Sequence, residues 1–208
     1  MSAASGSAPV QGAQIIEVRL HGRGGQGNVA AAYLLAAAAI REGRFAQGFP
    51  AFGAERRGAP VVAFVRIAGR PLRRHSQVQR PDFLIVQDAA LLGVPGVLDG
   101  LRPGGVVLAN SQEDGDALSQ RLGVPVVAFP AGAMAREVLG RPVPNTALLS
   151  AFLALTGLLS RESLEAEVEA RFRSRGDDVV QRNVELIRRA AEAVPAGQWK
   201  EALHAAGA

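Results

Sequence analysis

The 208-residue sequence predicts an α/β protein, with a doubly wound, mainly parallel sheet and a helical C-terminal part. Three observations carry this expectation. The glycine-rich segment His21-Gly22-Arg23-Gly24-Gly25-Gln26-Gly27 joins an apolar run to an alanine-rich run, as a strand–loop–helix unit does. Short apolar runs then alternate with stretches of helical composition. From Ala131 onward the chain reads as helix almost to its end.

Each element has its own signal. Residues 1–14 are small and polar, with neither a basic n-region nor an apolar core, and read as a disordered tail. Ile15, Ile16, Val18 and Leu20 mark the first strand, and Val29–Arg41 a buried helix ended by Gly43. A loop is expected from Phe45 to Ala59, unusually aromatic and charged for a connector. Val61–Ile67 is a strand, and Gly69–Pro71 a turn into an extended piece around Leu72–Arg74. Phe83-Leu84-Ile85-Val86 is the continuous apolar run of a buried parallel strand. Val106–Ala109 and Val124–Phe129 repeat the scheme, with helices expected at Leu91–Leu101 and Asp116–Leu122. The C-terminal helices are placed at Ala133–Leu139, Asn145–Ser160, Arg161–Ser174 and Asp177–Ala193. No repeat or rich linker divides the chain, so one Rossmann-like domain is expected over 15–195, with a tail at 196–208.

Composition narrows the function. Apolar residues make up 48%, which marks a globular chain. Cysteine is absent, which excludes disulfides, thiolate metal sites, cysteine nucleophiles and cysteine-ligated iron–sulfur clusters in this chain. The net charge of +4 is uneven: between Arg41 and Arg80 nine arginines face two acids, Glu42 and Glu55. Aromatics are only 5% and no nucleic-acid motif appears, so an anionic ligand or an acidic partner subunit fits better than nucleic acid. Ala30–Ile40 is too short to span a bilayer, and a cytoplasmic location is expected.

The glycine loop is a device for holding phosphate, because glycines admit close approach and first-turn N–H groups point at an anion. A tight turn that binds nothing needs the same glycines, and the loop alone leaves both readings open. A dinucleotide-binding unit wants an acid near the end of the second strand, and this region offers arginines instead. Glu55-Arg56-Arg57-Gly58 presents paired guanidiniums, suited either to a phosphate clamp or to salt bridges at a subunit boundary. His21 reads as hydrogen-bonded to the backbone beside the turn, Asp88 as a helix cap, and Asp114-Gly115-Asp116 as a turn. Asn145 is expected as an N-cap whose exposed amide could also meet a ligand. No complete catalytic set is present, and no residue is assigned as catalytic or as a metal ligand.

These motifs together resemble one family, the gamma subunit of 2-oxoacid:acceptor (pyruvate:ferredoxin) oxidoreductases. The resemblance rests on His21 to Gly27, on Phe49-Pro50-Ala51-Phe52-Gly53-Ala54-Glu55-Arg56-Arg57-Gly58-Ala59-Pro60-Val61-Val62, and on Ser76-Gln77-Val78. It continues through Pro81-Asp82, Val86-Gln87-Asp88 and Pro144-Asn145-Thr146-Ala147-Leu148-Leu149, covering about Ile15 to Arg189. It implies a multi-subunit enzyme that oxidatively decarboxylates a 2-oxoacid to acyl-CoA. Thiamine diphosphate and Mg belong to alpha and beta partner subunits, and [4Fe-4S] clusters to a ferredoxin-like subunit that passes electrons to ferredoxin or another acceptor. This chain is expected to help bind coenzyme A. Gly22, Arg23, Gly24, Gly25, Gln26 and Gly27, with Arg56 and Arg57, would meet the phosphates, and Asn145 the remainder. A docking module without ligand and an NAD(P)-binding dehydrogenase are the alternatives. Ser150 stands where glycine is expected in many relatives, which bears on close packing there.

Overall fold

A computed structural model describes residues 14–51, 58–74 and 76–206. Six strands form one sheet in the order β2-β3-β1-β4-β5-β6: β1 Ile15–Arg23, β2 Phe45–Pro50, β3 Pro60–Ala68, β4 Phe83–Val86, β5 Val106–Asn110 and β6 Val126–Phe129. The pairings β1–β4, β4–β5 and β5–β6 are parallel, whereas β3 runs antiparallel to both β1 and β2. Among the described residues there are seven α-helices, α1 Asn28–Arg41, α2 Gly115–Leu122, α3 Ala131–Leu139, α4 Asn145–Thr156, α5 Arg161–Phe172, α6 Asp177–Glu192 and α7 Lys200–Ala205. None is long and apolar enough to cross a membrane.

Alternation along β1 assigns the two faces of the sheet. Ile16, Val18 and Leu20 point into the main core, where α1 and α4 pack on Ala63, Val65, Ile67, Phe83 and Ile85. Leu84, Val86, Val107 and Val126 line the other face, under Leu91, Leu92 and Leu118. This is the expected α/β architecture, with helical cover on both sides. Glu17, Arg19 and His21 share the second face and are buried there, a polar floor beneath the half of the sheet formed by β1, β3 and β2.

Four expectations change. The loop placed at Phe45–Ala59 begins with a strand, β2, at the sheet edge. Gly48 and Pro50 hide it in sequence, but Gly48 is needed because an added Cβ would lie 2.7 Å from the Ala32 carbonyl of α1. The helix expected at Leu91–Leu101 is only a 3-10 turn, Ala89–Gly93, since Gly93, Pro95, Gly96 and Gly100 break the remainder. The helix expected to reach Ser160 stops at Thr156, where Gly157 adopts φ +65° as a left-handed C-cap. The segment from 196, expected as a tail, packs instead: Trp199 is 6% exposed and stacks on Phe83 at a ring-centroid distance of 6.3 Å, and Phe83 in turn meets Phe152 edge-on at 5.3 Å.

Ser150, the residue in place of an expected glycine, is accommodated by a hydrogen bond. Its Oγ donates to the Ile187 carbonyl and ties α4 to α6.

Candidate functional site

The chain leaves β1 toward β2 and β3 on one side and continues through β4, β5 and β6 on the other. The topological switch therefore lies between the carboxyl ends of β1 and β4, where the glycine loop and Gln87-Asp88 meet. Here the backbone accounts for its own hydrogen bonds unevenly. Arg23 N–H donates to Gln26 Oε1 (2.7 Å), Gln26 N–H to the Arg23 carbonyl (3.0 Å), and Gly24 N–H to the Ala59 carbonyl (2.9 Å). Those three amides are consumed inside the loop. The N–H groups of Gly25 and Gly27 have no partner among the described residues.

Gly25 (φ +97°) and Gly27 (φ +75°) hold the loop in left-handed conformations that only glycine adopts without strain. Helix α1 then starts with no side-chain cap and no acid in its first turn. Its first N–H groups have no intrahelical acceptor, so with those of Gly25 and Gly27 they form a concave nest of donors. Space over Gly25 is open, with nothing within 4 Å of a Cβ built there. A phosphate fits this arrangement.

The cationic side of the site differs from its expectation. The Arg23 guanidinium is drawn to the Asp88 carboxylate at 2.5 Å and to the Gly58 carbonyl at 3.3 Å. Asp88 also caps the 3-10 turn by accepting from Ala90 N–H at 3.0 Å. Arg23 is thus largely neutralised, and its evident task is to fasten β1, β4 and the segment at Gly58 together. Arg56 and Arg57 lie outside the described residues, but Gly58, next to Arg57 in the chain, donates its N–H to the Gly24 carbonyl at 3.2 Å.

Asn145 is the first residue of α4 rather than its cap, which is Pro144. Its Oδ1 accepts from Thr146 N–H (2.8 Å), and its Nδ2 makes a long 3.4 Å contact to the Gly27 carbonyl. A Cβ on Gly27 would stand 2.5 Å from that Nδ2, so the half-buried Asn145 amide lies directly against the loop.

Asn28, a buried residue that sequence reasoning passed over, holds the loop in place together with Gln87. Asn28 is 3% exposed; its Nδ2 donates to the Leu20 carbonyl (3.0 Å) and the Val61 carbonyl (2.9 Å). Its Oδ1 accepts from Gln87 Nε2 at 3.0 Å. Gly22 makes room for it, since a Cβ there would sit 3.2 Å from Asn28 Cβ. The relay goes on along the carboxyl rim: Asn110 Nδ2 donates to the Gln87 carbonyl, and Asn110 Oδ1 accepts from Gly132 N–H at the start of α3. Gln87 Oε1, fully buried, has no partner among the described residues.

His21 does not bond the backbone with its ring. Its Nε2 accepts from Arg19 Nε at 3.0 Å, which fixes the neutral tautomer with the proton on Nδ1. Burial, and then the neighbouring Arg19 charge, lower its pKa from 6.5 to about 4. The ring is neutral near pH 7, and Arg19 is held in turn by the Val97 and Asp99 carbonyls.

Comparison with known proteins identifies the family and the fold. The family model described as pyruvate ferredoxin/flavodoxin oxidoreductase matches residues 17–193. The chain is 43% identical over 161 residues to the pyruvate/ketoisovalerate oxidoreductases common subunit gamma of Thermococcus kodakarensis, covering 76% of this chain and 87% of that protein. The structure of the pyruvate oxidoreductase subunit PORC from Thermotoga maritima superposes with a TM-score of 0.76 at 34% identity, covering 86% of this chain and 96% of that one. The 2-oxoglutarate:ferredoxin oxidoreductase of Magnetococcus marinus, solved with 2-oxoglutarate, coenzyme A and succinyl-CoA bound, shares the fold (TM-score 0.73, 22% identity, 88% of this chain and 32% of that chain).

Proposed function

Because the chain belongs to the pyruvate ferredoxin/flavodoxin oxidoreductase family, as a gamma subunit of a 2-oxoacid:ferredoxin oxidoreductase, we propose that its own task is to grip the phosphates of coenzyme A and to help hold the complex together. The observation that carries this reading is the nest of unpartnered amides at Gly25, Gly27 and the uncapped start of α1. In this reading Gly22, Gly24 and Gln26 shape the loop, Gly25 and Gly27 present donors, and Arg23 anchors it through Asp88. Arg56 and Arg57 supply the positive charge that Arg23 no longer offers. Asn145 faces the remainder of the cofactor from beside Gly27.

Coenzyme A brings the thiol that takes up the acyl group. Thiamine diphosphate, Mg and the [4Fe-4S] clusters reside on alpha, beta and ferredoxin-like partner subunits, and this chain has no cysteine to ligate a cluster. The work of this chain is binding and orientation: backbone donors preset in a rigid loop hold a multiply charged group without reorganising.

The sheet argues against a free-standing NAD(P) enzyme. The strand beside β1 on the glycine-loop side is the antiparallel β3, and β2 (Phe-Ala-Gln-Gly-Phe-Pro) carries no acid to hold a ribose.

The test is Arg56→Ala combined with Arg57→Ala in the assembled enzyme. The apparent KM for coenzyme A is expected to rise while oxoacid-dependent thiamine chemistry continues. An unchanged response to coenzyme A removes the phosphate role from these arginines, and loss of assembly on size-exclusion chromatography moves it to docking.

A further inference from the structure

The second sheet face is covered unequally. Over β4, β5 and β6 it lies beneath the 3-10 turn and α2. Over β2, β3 and β1 no helix among the described residues covers it, and a strap between Gly69 and Pro81 crosses it instead. The strap is pinned strand by strand. The Leu72 carbonyl accepts from Gln47 Nε2 on β2, and the Arg74 carbonyl from Arg66 Nη1 on β3. Gln77, Val78 and Gln79 then roof a cavity of about 320 Å³ whose floor includes Arg19 and His21 of β1. The crossing from β2 to β1 spans about 10 Å, two interstrand spacings.

The outward side of this strap is basic. Arg70, Arg73, Arg74 and Arg80 are all exposed, and no acidic residue occurs between Ile67 and Pro81. None of the four guanidiniums has a carboxylate partner among the described residues. Elsewhere the surface is mixed: Arg41 pairs with Glu167, Arg121 with Glu113 and Arg189 with Glu137. The exposed Arg136, Arg141, Arg171, Arg173 and Arg175 have no carboxylate partner among the described residues, but acids stand close to these in the chain (Glu137, Glu169, Asp177), whereas the strap itself contains none. A backbone anchored to the sheet thus presents like charges that find no counter-charge among the described residues. The strap contains no Phe, Tyr or Trp to stack on a base, which disfavours single-stranded nucleic acid.

We propose that the strap is a docking face for an acidic surface on a partner subunit of the enzyme. The inference rests on the subunit reading above but uses residues apart from the glycine loop. Planar guanidiniums match carboxylates bidentately, and a field of one sign steers and orients an acidic protein surface during encounter.

The experiment is Arg70→Glu, Arg73→Glu and Arg74→Glu together, in the chain co-produced with its partner subunits, beside the corresponding triple lysine variant. Association with the partner assembly is measured kinetically at two ionic strengths and by size-exclusion chromatography. The glutamate variant is expected to lose the complex or to slow association by on the order of tenfold or more. The lysine variant should retain it, and wild-type association should slow as salt rises. All three side chains are exposed, so circular dichroism and the unfolding temperature of the glutamate variant should match the wild type. Wild-type assembly rates in the glutamate variant, or salt-independent wild-type association, would overturn the proposal. So would loss of heparin or RNA binding alone with assembly intact, which would assign the strap to nucleic acid. Intact assembly of the glutamate variant beside a coenzyme A defect in the Arg56/Arg57 variant would leave the phosphate reading standing while this one fell; failed assembly of the glutamate variant beside an unchanged coenzyme A response in the Arg56/Arg57 variant would do the opposite.

Discussion

Replacing Asn28 should unfasten the loop more than replacing any glycine in it. The residue is 3% exposed and makes three hydrogen bonds, to Leu20, Val61 and Gln87, at 2.9 to 3.0 Å. At a net value of about 1 kcal/mol each, and with Gln87 Nε2 left beside an already unpartnered Oε1, Asn28→Ala should cost about 2–4 kcal/mol. For a chain of this size that corresponds to a fall in Tm of roughly 5–15 °C. Asn28→Asp is the sharper perturbation, because it keeps the shape but replaces the Nδ2 donor with an acceptor that faces two carbonyl oxygens. Near neutral pH it should be less stable than the alanine variant. The assay is urea unfolding of the purified chain followed by circular dichroism, with the order wild type, Asn28→Ala, Asn28→Asp expected. An alanine variant within about 0.5 kcal/mol of wild type, or an aspartate variant at least as stable as it, would refute the bracing role.

Two other perturbations probe the polar floor of the sheet. Arg66 and Glu17 pair at 2.7 Å with side chains 2% and 9% exposed, so Arg66→Met strands a buried carboxylate and should cost about 3–5 kcal/mol in the same assay. Glu17→Leu with Arg66→Met should recover most of that loss, and a double variant as unstable as the single would contradict the pairing argument. His21 makes stability depend on pH in a defined direction. The unfolded chain protonates it near 6.5 but the folded chain only near about 4, so stability holds above pH 6.5 and falls as the pH drops toward 4. The total is about 3 kcal/mol, and His21→Gln should flatten that part of the pH profile. An unaltered profile would mean that other groups carry it.

What the sequence revealed and what it hid have a common physical origin. Phe83-Leu84-Ile85-Val86 was legible because a strand buried on both faces must be apolar throughout, and its bounds match β4. The glycine loop was legible because backbone conformation restricts residue type locally, as Gly25 and Gly27 show. β2 was not, since an edge strand with Gly48 and Pro50 gains its identity from β3 and α1 rather than from its own residues. The Asn28–Gln87–Asn110 relay was also hidden, because its partners lie 59 and 23 residues apart and polar residues carry no periodic mark of burial. One signal was available: Glu17, Arg19 and His21 alternate with Ile16, Val18 and Leu20, which marks a strand with one polar face. The Asp88 partner that neutralises Arg23 could be found only by bringing the ends of β1 and β4 together.

The most direct measurement is a density map of the assembled enzyme with coenzyme A bound. The account predicts the cofactor's phosphates within hydrogen-bonding distance of the Gly25 and Gly27 amides and the first turn of α1. A map with the cofactor lodged elsewhere, and those amides met by a partner chain or by water, would contradict it.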